Sequence, residues 1–349
     1  MDNEETTGRL LSEMRRIDDK IMSLVGERLR ISSEIGLIGE ECPDTGFSVL
    51  ERFRALGDMV GMNRTAAEEL CRIITEQSSA AESLSKHKEQ TKKNIAVVGG
   101  SGQMGKAIVR LFREMGHEVT VIDPAAGNGL TTEDAKDSDA VAIAVPISSV
   151  SKILEELDAV CREDTLIFDI SSLKTPFVEN LKKLAKRRKV CSVHPMFGPS
   201  VRSIHGRNLI VCDCGSEAAV NQAKGLFDGR GAEIKIIPVD KHDEYMSYVL
   251  GLSHIVNIVF FTVLRNSGIP FEEFRSLSST TFDKMTDTFM SVALEDPSLY
   301  YEIQNLNMNR DRMLHELDEG IRQVSEAAAS DDAKAFEELM LEGKEYLKV

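Results

Sequence analysis

One short stretch constrains this chain more than any other. The β-branched run NIAVV at 94–98 leads straight into Gly99-Gly100-Ser101-Gly102-Gln103-Met104-Gly105 and then into a helical pattern. A G-x-G-x-x-G turn between a strand and a helix divides its glycines by task. Gly100 permits the tight turn, Gly102 lets the backbone approach a pyrophosphate, and Gly105 lets the helix pack close to the strand. The phosphates then sit on the amides and positive dipole of the helix N-terminus, which makes Ser101, Gln103 and Met104 candidate cofactor contacts alongside the three glycines. Such turns are weak signals alone, but here a second strand run, 117–123, follows and ends at Asp123. An acidic side chain there binds ribose hydroxyls and repels a 2′-phosphate, and the next residues, PAAGNG, hold no Arg or Lys. NAD is therefore expected rather than NADP. The competing reading is a Rossmann-like turn that binds no cofactor.

Further β-branched runs follow at 139–146, 165–171, 189–195, 208–213 and 232–238, most of them separated by helical segments such as 106–115 and 178–187. This alternation predicts an α/β fold, a Rossmann-type, doubly wound and largely parallel sheet with helices on both faces. Residues 8–80 read instead as helical, with Leu10, Met14, Ile17, Ile21, Leu24 and Val25 forming one apolar stripe. CPDTG at 42–46 breaks that pattern, a second helix begins near Ser48, a third spans about 66–79, and the polar run 83–93 reads as a linker. From Lys241 onward the strands stop, and helices are expected at 246–264, 271–294, 298–307, 310–329 and 331–346. Three domains are expected: a helical head at 1–90, a nucleotide-binding domain at 91–240 and a helical domain at 241–349. A length of 349 residues accommodates them.

The net charge of −15 argues against a general binder of nucleic acid or anionic membrane. By region it is −6 over 1–90, +1 over 91–240 and −10 over 241–349, so an anionic ligand is least repelled in the middle. No run approaches the roughly 20 consecutive apolar residues of a membrane helix. The N-terminus, MDNEETTGRL, is acidic and polar, unlike a signal peptide. Six scattered cysteines with no C-x-x-C pair fit reduced thiols in a cytoplasmic protein, without a zinc site. Cys212 and Cys214 read as inert.

Two clusters at the C-terminal ends of expected strands could carry chemistry, because ligands of open α/β sheets bind there. In DISSLK, 169–174, Ser172 offers a hydroxyl and Lys174 an ammonium. In HPMFGP, 194–199, His194 is a rigidly placed imidazole braced by the two prolines and the glycine that follow it. His242 and His254 lie twelve residues apart, too far for metal-ligand spacing on one helix, and His242 reads as a cap or surface decoration.

Taken together, GGSGQMG, AVP at 144–146, DISSLK, HPMFGP, KHDEYMSYVLGLSH at 241–254 and EDPSLYYEIQ at 295–304 resemble the prephenate dehydrogenase family. The match runs over essentially all of residues 94–310. IDDKIMSLVGERLRISSEIG at 17–36 resembles the chorismate mutase-like module fused ahead of some of these enzymes. The resemblance implies NAD-dependent oxidative decarboxylation of prephenate to 4-hydroxyphenylpyruvate in tyrosine biosynthesis, with a homodimer built on the C-terminal helices. It implies that His194 accepts the proton of the ring hydroxyl, that Ser172 hydrogen-bonds the same hydroxyl, and that His254 lines the substrate pocket. Lys174 and Arg275 become candidate substrate cations, and Val145 and Pro146 cofactor contacts. No metal, nucleic acid or membrane enters this picture.

The chain departs from the family pattern in two places. Arginines expected before the DP-x-LY segment read Ser291 and Asp283, leaving Arg275, Lys284, Arg202 and Arg207 as substitutes and arogenate as an alternative substrate. In the mutase-like head Arg28 matches, but the other expected charged positions read Leu11, Gly39 and, nearby, Gly46, with Arg9 or Arg15 available after a register shift. That predicts a mutase fold with weak or lost activity. The rival readings are a β-hydroxyacid dehydrogenase, against which HPMFGP and DISSLK discriminate, and a non-catalytic NAD-sensing regulator.

Overall fold

A computed structural model describes residues 3–38, 46–85, 91–201, 203–228 and 230–348. The chain divides into two compact units. The first comprises 1–145, 156–170 and 184–236, and the second 146–155, 171–183 and 237–349.

The first unit opens with three helices, α1 (Asn3–Ile38), α2 (Gly46–Met59) and α3 (Arg64–Ser85). At 1.5 Å per residue α1 is about 54 Å long, against about 33 Å for α3, the helix that packs along it. Its apolar stripe accordingly stays about half exposed, with Met14 at 60%, Ile21 at 52% and Leu24 at 65%. Arg54 on α2 donates to Glu68 on α3 at 2.7 Å, and the Arg28 guanidinium on α1 reaches the Ser78 hydroxyl on α3.

Seven strands follow: β1 (Asn94–Val98), β2 (Glu118–Ile122), β3 (Ala140–Ile143), β4 (Leu166–Asp169), β5 (Val190–Pro195), β6 (Asn208–Asp213) and β7 (Glu233–Pro238). Between strands in sequence run α4 (Gln103–Glu114) and α7 (Glu217–Phe227) of this unit, and α5 (Val150–Val160) and α6 (Val178–Ala185), most of whose residues belong to the second. The sheet order is β2-β1-β3-β4-β5-β6-β7, with β2 through β5 paired in parallel. Every residue of β3 and β4 is buried, as expected of parallel strands covered on both faces. Phe112 of α4, Phe168 of β4 and Phe227 of α7 form an aromatic centre in this core, with ring centroids 5.6 Å and 6.2 Å apart. β6 departs from the parallel expectation and pairs antiparallel with β5. A parallel return needs a crossover of a dozen or more residues, usually helical, and no described residue of 196–207 is helical. The chain order reverses at β1, which lies between β2 and β3. This switch point opens a crevice at the C-terminal ends of β1 and β3.

The second unit is helical. α8 (Val239–Met246), a π-helical turn (Ser247–Leu252) and α9 (Ser253–Asn266) form one continuous helix. α10 (Phe271–Ser276), α11 (Thr280–Ala293), α12 (Pro297–Leu306), α13 (Arg310–Ala329) and α14 (Lys334–Leu347) follow. Phe260 and Phe261 of α9 pack on Phe289 of α11, at centroid distances of 5.5 Å and 6.5 Å.

One sequence expectation is corrected here. The single helix expected over 271–294 is broken between Ser276 and Thr280. Ser279 caps α11 by accepting the Phe282 N–H at 3.2 Å, which favours a fresh start over continuation. No run of about 20 consecutive apolar residues occurs, but one helix is long and apolar overall. Val239–Asn266 spans 28 residues, and its most apolar 18-residue window has a mean hydropathy of 1.8 with 17% of it buried. Ser, His and Asn interrupt its apolar runs but no charge does between Glu244 and Arg265, so length and composition alone would let it cross a membrane.

Candidate active site

In the first unit the glycine turn closes the switch-point crevice. The left-handed backbone falls at Gly99, φ +83, rather than at Gly100. A Cβ on Gly99 would lie 2.4 Å from the Ala144 carbonyl oxygen, so this residue also sets how closely the ends of β1 and β3 approach. Gly100 is constrained by packing instead, since its Cβ would meet Val121 Cγ1 at 2.8 Å. Gly105 fits its expected role, with a Cβ that would strike the Gly99 carbonyl oxygen at 2.2 Å. Gly102 is different. Its Cβ would meet only the Gly99 oxygen, at 3.4 Å, and as the N-cap of α4 it brings no side chain to the helix amides.

Asp123 ends β2 and grips this turn. Its Oδ2 accepts the Ser101 N–H at 2.9 Å and its Oδ1 accepts the Ala125 N–H at 2.8 Å. Two oxygens offer about four acceptor sites, so both can still take ribose hydroxyls. Val145 follows β3, with its Cγ1 3.0 Å from where a Gly99 Cβ would stand. An uncapped helix N-terminus, a backbone cradle that tolerates no side chain at Gly99 or Gly105, and a carboxylate beside it fit a dinucleotide. Gly100, Ser101, Gly102, Gln103, Met104, Gly105, Asp123 and Val145 are all residues that could hold it. Pro146, in the second unit, caps the 3₁₀ turn Ile147–Ser149.

His194 lies within β5, one residue from its C-terminal end, opposite Ile210 of β6, and is 4% exposed. Ser192 shares its sheet face two residues earlier and stands in register with Asp169 of β4; all three are buried. For Asp169 and Ser192 the one signal in the sequence is a polar residue two before a strand-end histidine.

In the second unit Ser172 is half-buried, while Lys174 is 1% exposed and donates from Nζ to the Ser171 carbonyl at 2.6 Å. The organising group there is Asp243. Its carboxylate accepts the Lys174 N–H at 3.0 Å, the Thr175 N–H at 2.6 Å and the Thr175 hydroxyl, and it lies 2.6 Å from His242 Nδ1. Burial pushes this carboxyl upward, but the hydrogen bonds and charge of His242 and the bonds from Thr175 outweigh it and hold the group below its usual range. The placing of His242 on the helix surface is thereby corrected. The ring is fully buried, because the carboxylate next to it in sequence supplies an internal partner. His254 stacks on Tyr300 at 4.2 Å and 24°, and its Nδ1 has no partner among the described residues. Burial alone lowers this histidine to about 4, so the ring is neutral at pH 7. Arg275, on α10, is exposed and makes no side-chain bond among the described residues.

Residues 104–236 match the family model described as the nucleotide-binding domain of prephenate dehydrogenase, and residues 238–342 match that family's dimerization domain. The chain belongs to the prephenate dehydrogenase family. A "probable arogenate/prephenate dehydrogenase" of Methanocaldococcus jannaschii is 27% identical over 276 residues, covering 74% of this chain and 62% of that protein. The chain thus spans less than two thirds of that relative's length. The "T-protein" of Enterobacter agglomerans is 23% identical over 306 residues, covering 84% of this chain and 80% of its own. The prephenate dehydrogenase of A. aeolicus, solved with hydroxyphenyl propionate and NAD+, shares the fold at a TM-score of 0.55 and 18% identity, over 75% of this chain and 98% of that one. The arogenate dehydrogenase of Synechocystis does so at 0.58 and 16%, over 73% and 100%.

A nucleotide-binding domain is what the NAD expectation required. The positions where family arginines were expected are occupied by groups already engaged: the Ser291 hydroxyl donates to the Thr288 carbonyl at 2.6 Å, and Asp283 accepts the Ser278 hydroxyl. In the head, Leu11 is 50% exposed, Gly46 begins α2, and Gly39 lies outside the described residues, as do Cys42 and Arg202. The five described cysteines are buried and in no disulfide among the described residues.

Proposed function

We propose that this dehydrogenase oxidatively decarboxylates prephenate to 4-hydroxyphenylpyruvate with NAD+ as oxidant. The observation that carries the reading is a buried histidine, His194, at the C-terminal end of a strand in a nucleotide-binding sheet of this family. NAD+, held by the glycine turn and Asp123, supplies the acceptor for the hydride leaving ring C4. His194 takes the proton of the C4 hydroxyl, for which a neutral imidazole is suited near pH 7. Ser172 orients that hydroxyl, and loss of the C1 carboxylate as CO2 makes the ring aromatic. Aromatisation supplies the driving force, so the protein mainly positions two reactants. Lys174, His254 and Arg275 are the candidates for holding the substrate's carboxylates and side chain.

Arogenate is the second reading, favoured by the names of the M. jannaschii and Synechocystis relatives; it shares every ring-directed step. We further read three modules, 1–90, 91–240 and 241–349, with a homodimer through the last. Val249, Val256, Val259 and Val263 are exposed on the long helix, and that region matches a dimerization domain. The head reads as a mutase fold with weak or lost activity, supported by the apolar Leu11 where a cation was expected.

Following NADH formation by the full chain against prephenate, arogenate and chorismate separately tests these statements together. His194→Asn is expected to lower kcat by roughly 10²–10⁴-fold with NAD binding intact, and near-normal turnover would refute its role. Asp123→Ala is expected to relax discrimination against NADP; unchanged discrimination would remove that assignment. Robust conversion of chorismate would overturn the inactive-head reading.

A further inference from the structure

The helix that carries His242, Asp243 and His254 is not regular. Between Ser247 and Leu252 it widens into a π turn, with bonds reaching five residues instead of four. Such a turn rotates everything downstream relative to an uninterrupted α-helix and leaves carbonyls that the ladder does not serve. Side chains meet three carbonyls of the turn here. Ser253 Oγ donates to the Val249 carbonyl at 2.7 Å and lies 3.1 Å from the Leu250 carbonyl, while Gln304 Nε2 donates to the Gly251 carbonyl at 3.0 Å. A Cβ on Gly251 would stand 3.3 Å from Met313 Cε and in ordinary contact, 4.0 Å, with Gln304 Oε1.

Gln304 does not act alone. Tyr300, Gln304 and Asn307 recur at i, i+4 and i+7, one face of α12 continued into its cap. They engage, in reverse order along the long helix, the His254 ring, the Gly251 carbonyl and the Asp243 carbonyl, the last through Asn307 Nδ2 at 2.9 Å. One face of α12 therefore reads the helix before the π turn, within it and after it.

We infer that Gln304 is a positioning residue for His254, acting through the Gly251 carbonyl to hold the π turn that sets His254 against Tyr300. Removing the Gln304 donor costs the buried Gly251 oxygen one of its hydrogen bonds. Sliding toward regular α-helix relieves it and turns His254 out of the stack. Burial is the one cause that moves His254, and the titratable group stacked on it, the Tyr300 phenol, is held above its usual range by burial and by Glu295, so it stays uncharged while His254 titrates. The link to catalysis rests on the proposed reading that His254 lines the substrate pocket; the link between Gln304 and His254 does not.

The experiment uses the full chain with ¹⁵N-labelled histidine, His254→Asn serving for assignment. In the unmodified protein His254 is expected to titrate near 4. In Gln304→Met it is expected to move at least about one unit toward the ordinary histidine value of about 6.5. KM for the substrate should rise about tenfold at pH 7 with kcat changed less than about threefold, the signature of lost binding rather than lost chemistry. Gln304→Asn, shorter by one methylene but still polar, is the milder variant and is expected to move the same way. An unmoved His254 in the folded variant overturns the inference. A moved His254 with KM unchanged upholds the positioning link and overturns its role in binding. Absence of turnover on both prephenate and arogenate by the unmodified protein would instead refute the proposed function, with the titration still deciding the role of Gln304.

Discussion

The glycine turn of the first unit and the Asp243 cluster of the second solve the same problem by opposite means. The turn makes room for a ligand by removing side chains, so its geometry is held by backbone approaches that Gly99 and Gly105 alone permit. The cluster fills its space with buried polar side chains, so its geometry is held by hydrogen bonds that Asp243 gathers from two backbone amides, a hydroxyl and an imidazole. A backbone cradle fails by steric collision and a polar cluster by desolvation, and the two failures differ in size and in their dependence on pH.

The largest effect is expected at Asp243. Asp243→Ala leaves His242, Thr175 and two amides without their acceptor, and should destabilise the protein by roughly 3–5 kcal/mol in denaturant unfolding. A loss below about 1 kcal/mol would mean the cluster is decorative. Acid should act on the same unit. His254 titrates near 4 in the folded chain against about 6.5 unfolded, so the unfolded state binds the proton first. Stability then falls as pH drops from about 6.5 to about 4, by at most about 3 kcal/mol, and levels off below. Asp243, whose carboxyl is lowered, contributes stability that is present above its unfolded value of about 3.9 and lost as pH falls through its folded one. His254→Phe should flatten the upper part of that profile; an unchanged slope between pH 6.5 and 4 would contradict the assignment.

Gly105→Ala comes next. Its methyl group must displace backbone rather than a flexible side chain, which should cost roughly 1–3 kcal/mol and weaken NAD binding more than tenfold by calorimetry. Smallest is Gly102→Ala, whose methyl meets only an ordinary contact. Stability should change by less than about 0.5 kcal/mol, while a pyrophosphate seated against that backbone would still be crowded. A Gly102 variant as unstable as the Gly105 one would erase the distinction between cradle and ligand face.

Some of this was legible before folding. The seven strands follow from runs of β-branched residues that no helix would accommodate as well, and the turn follows from glycine spacing, because each records a constraint between near neighbours. His194 was visible because HPMFGP is a local word. Gly99 was passed over in favour of Gly100, since nothing local tells which of two adjacent glycines takes the positive φ. His242 was placed on a surface because its partner, though adjacent in sequence, accepts amides from residues nearly seventy positions earlier. The break at 277–279 and the π turn were likewise missed: the first is a contest between a serine cap and continued helix, and the second depends on Gln304, more than fifty residues away.

The sequence by itself determined the α/β alternation, the phosphate-turn residues and the candidate base, for all of these are short-range patterns of size, branching and backbone freedom. Only the tertiary structure decided which polar groups are buried and with whom. It made β6 antiparallel, closed His242 against Asp243, neutralised His254 by burial beneath Tyr300, and left the α1 stripe half exposed. Burial is a property of what the chain brings together from a distance, and it is burial that changes what a histidine or a carboxylate can do.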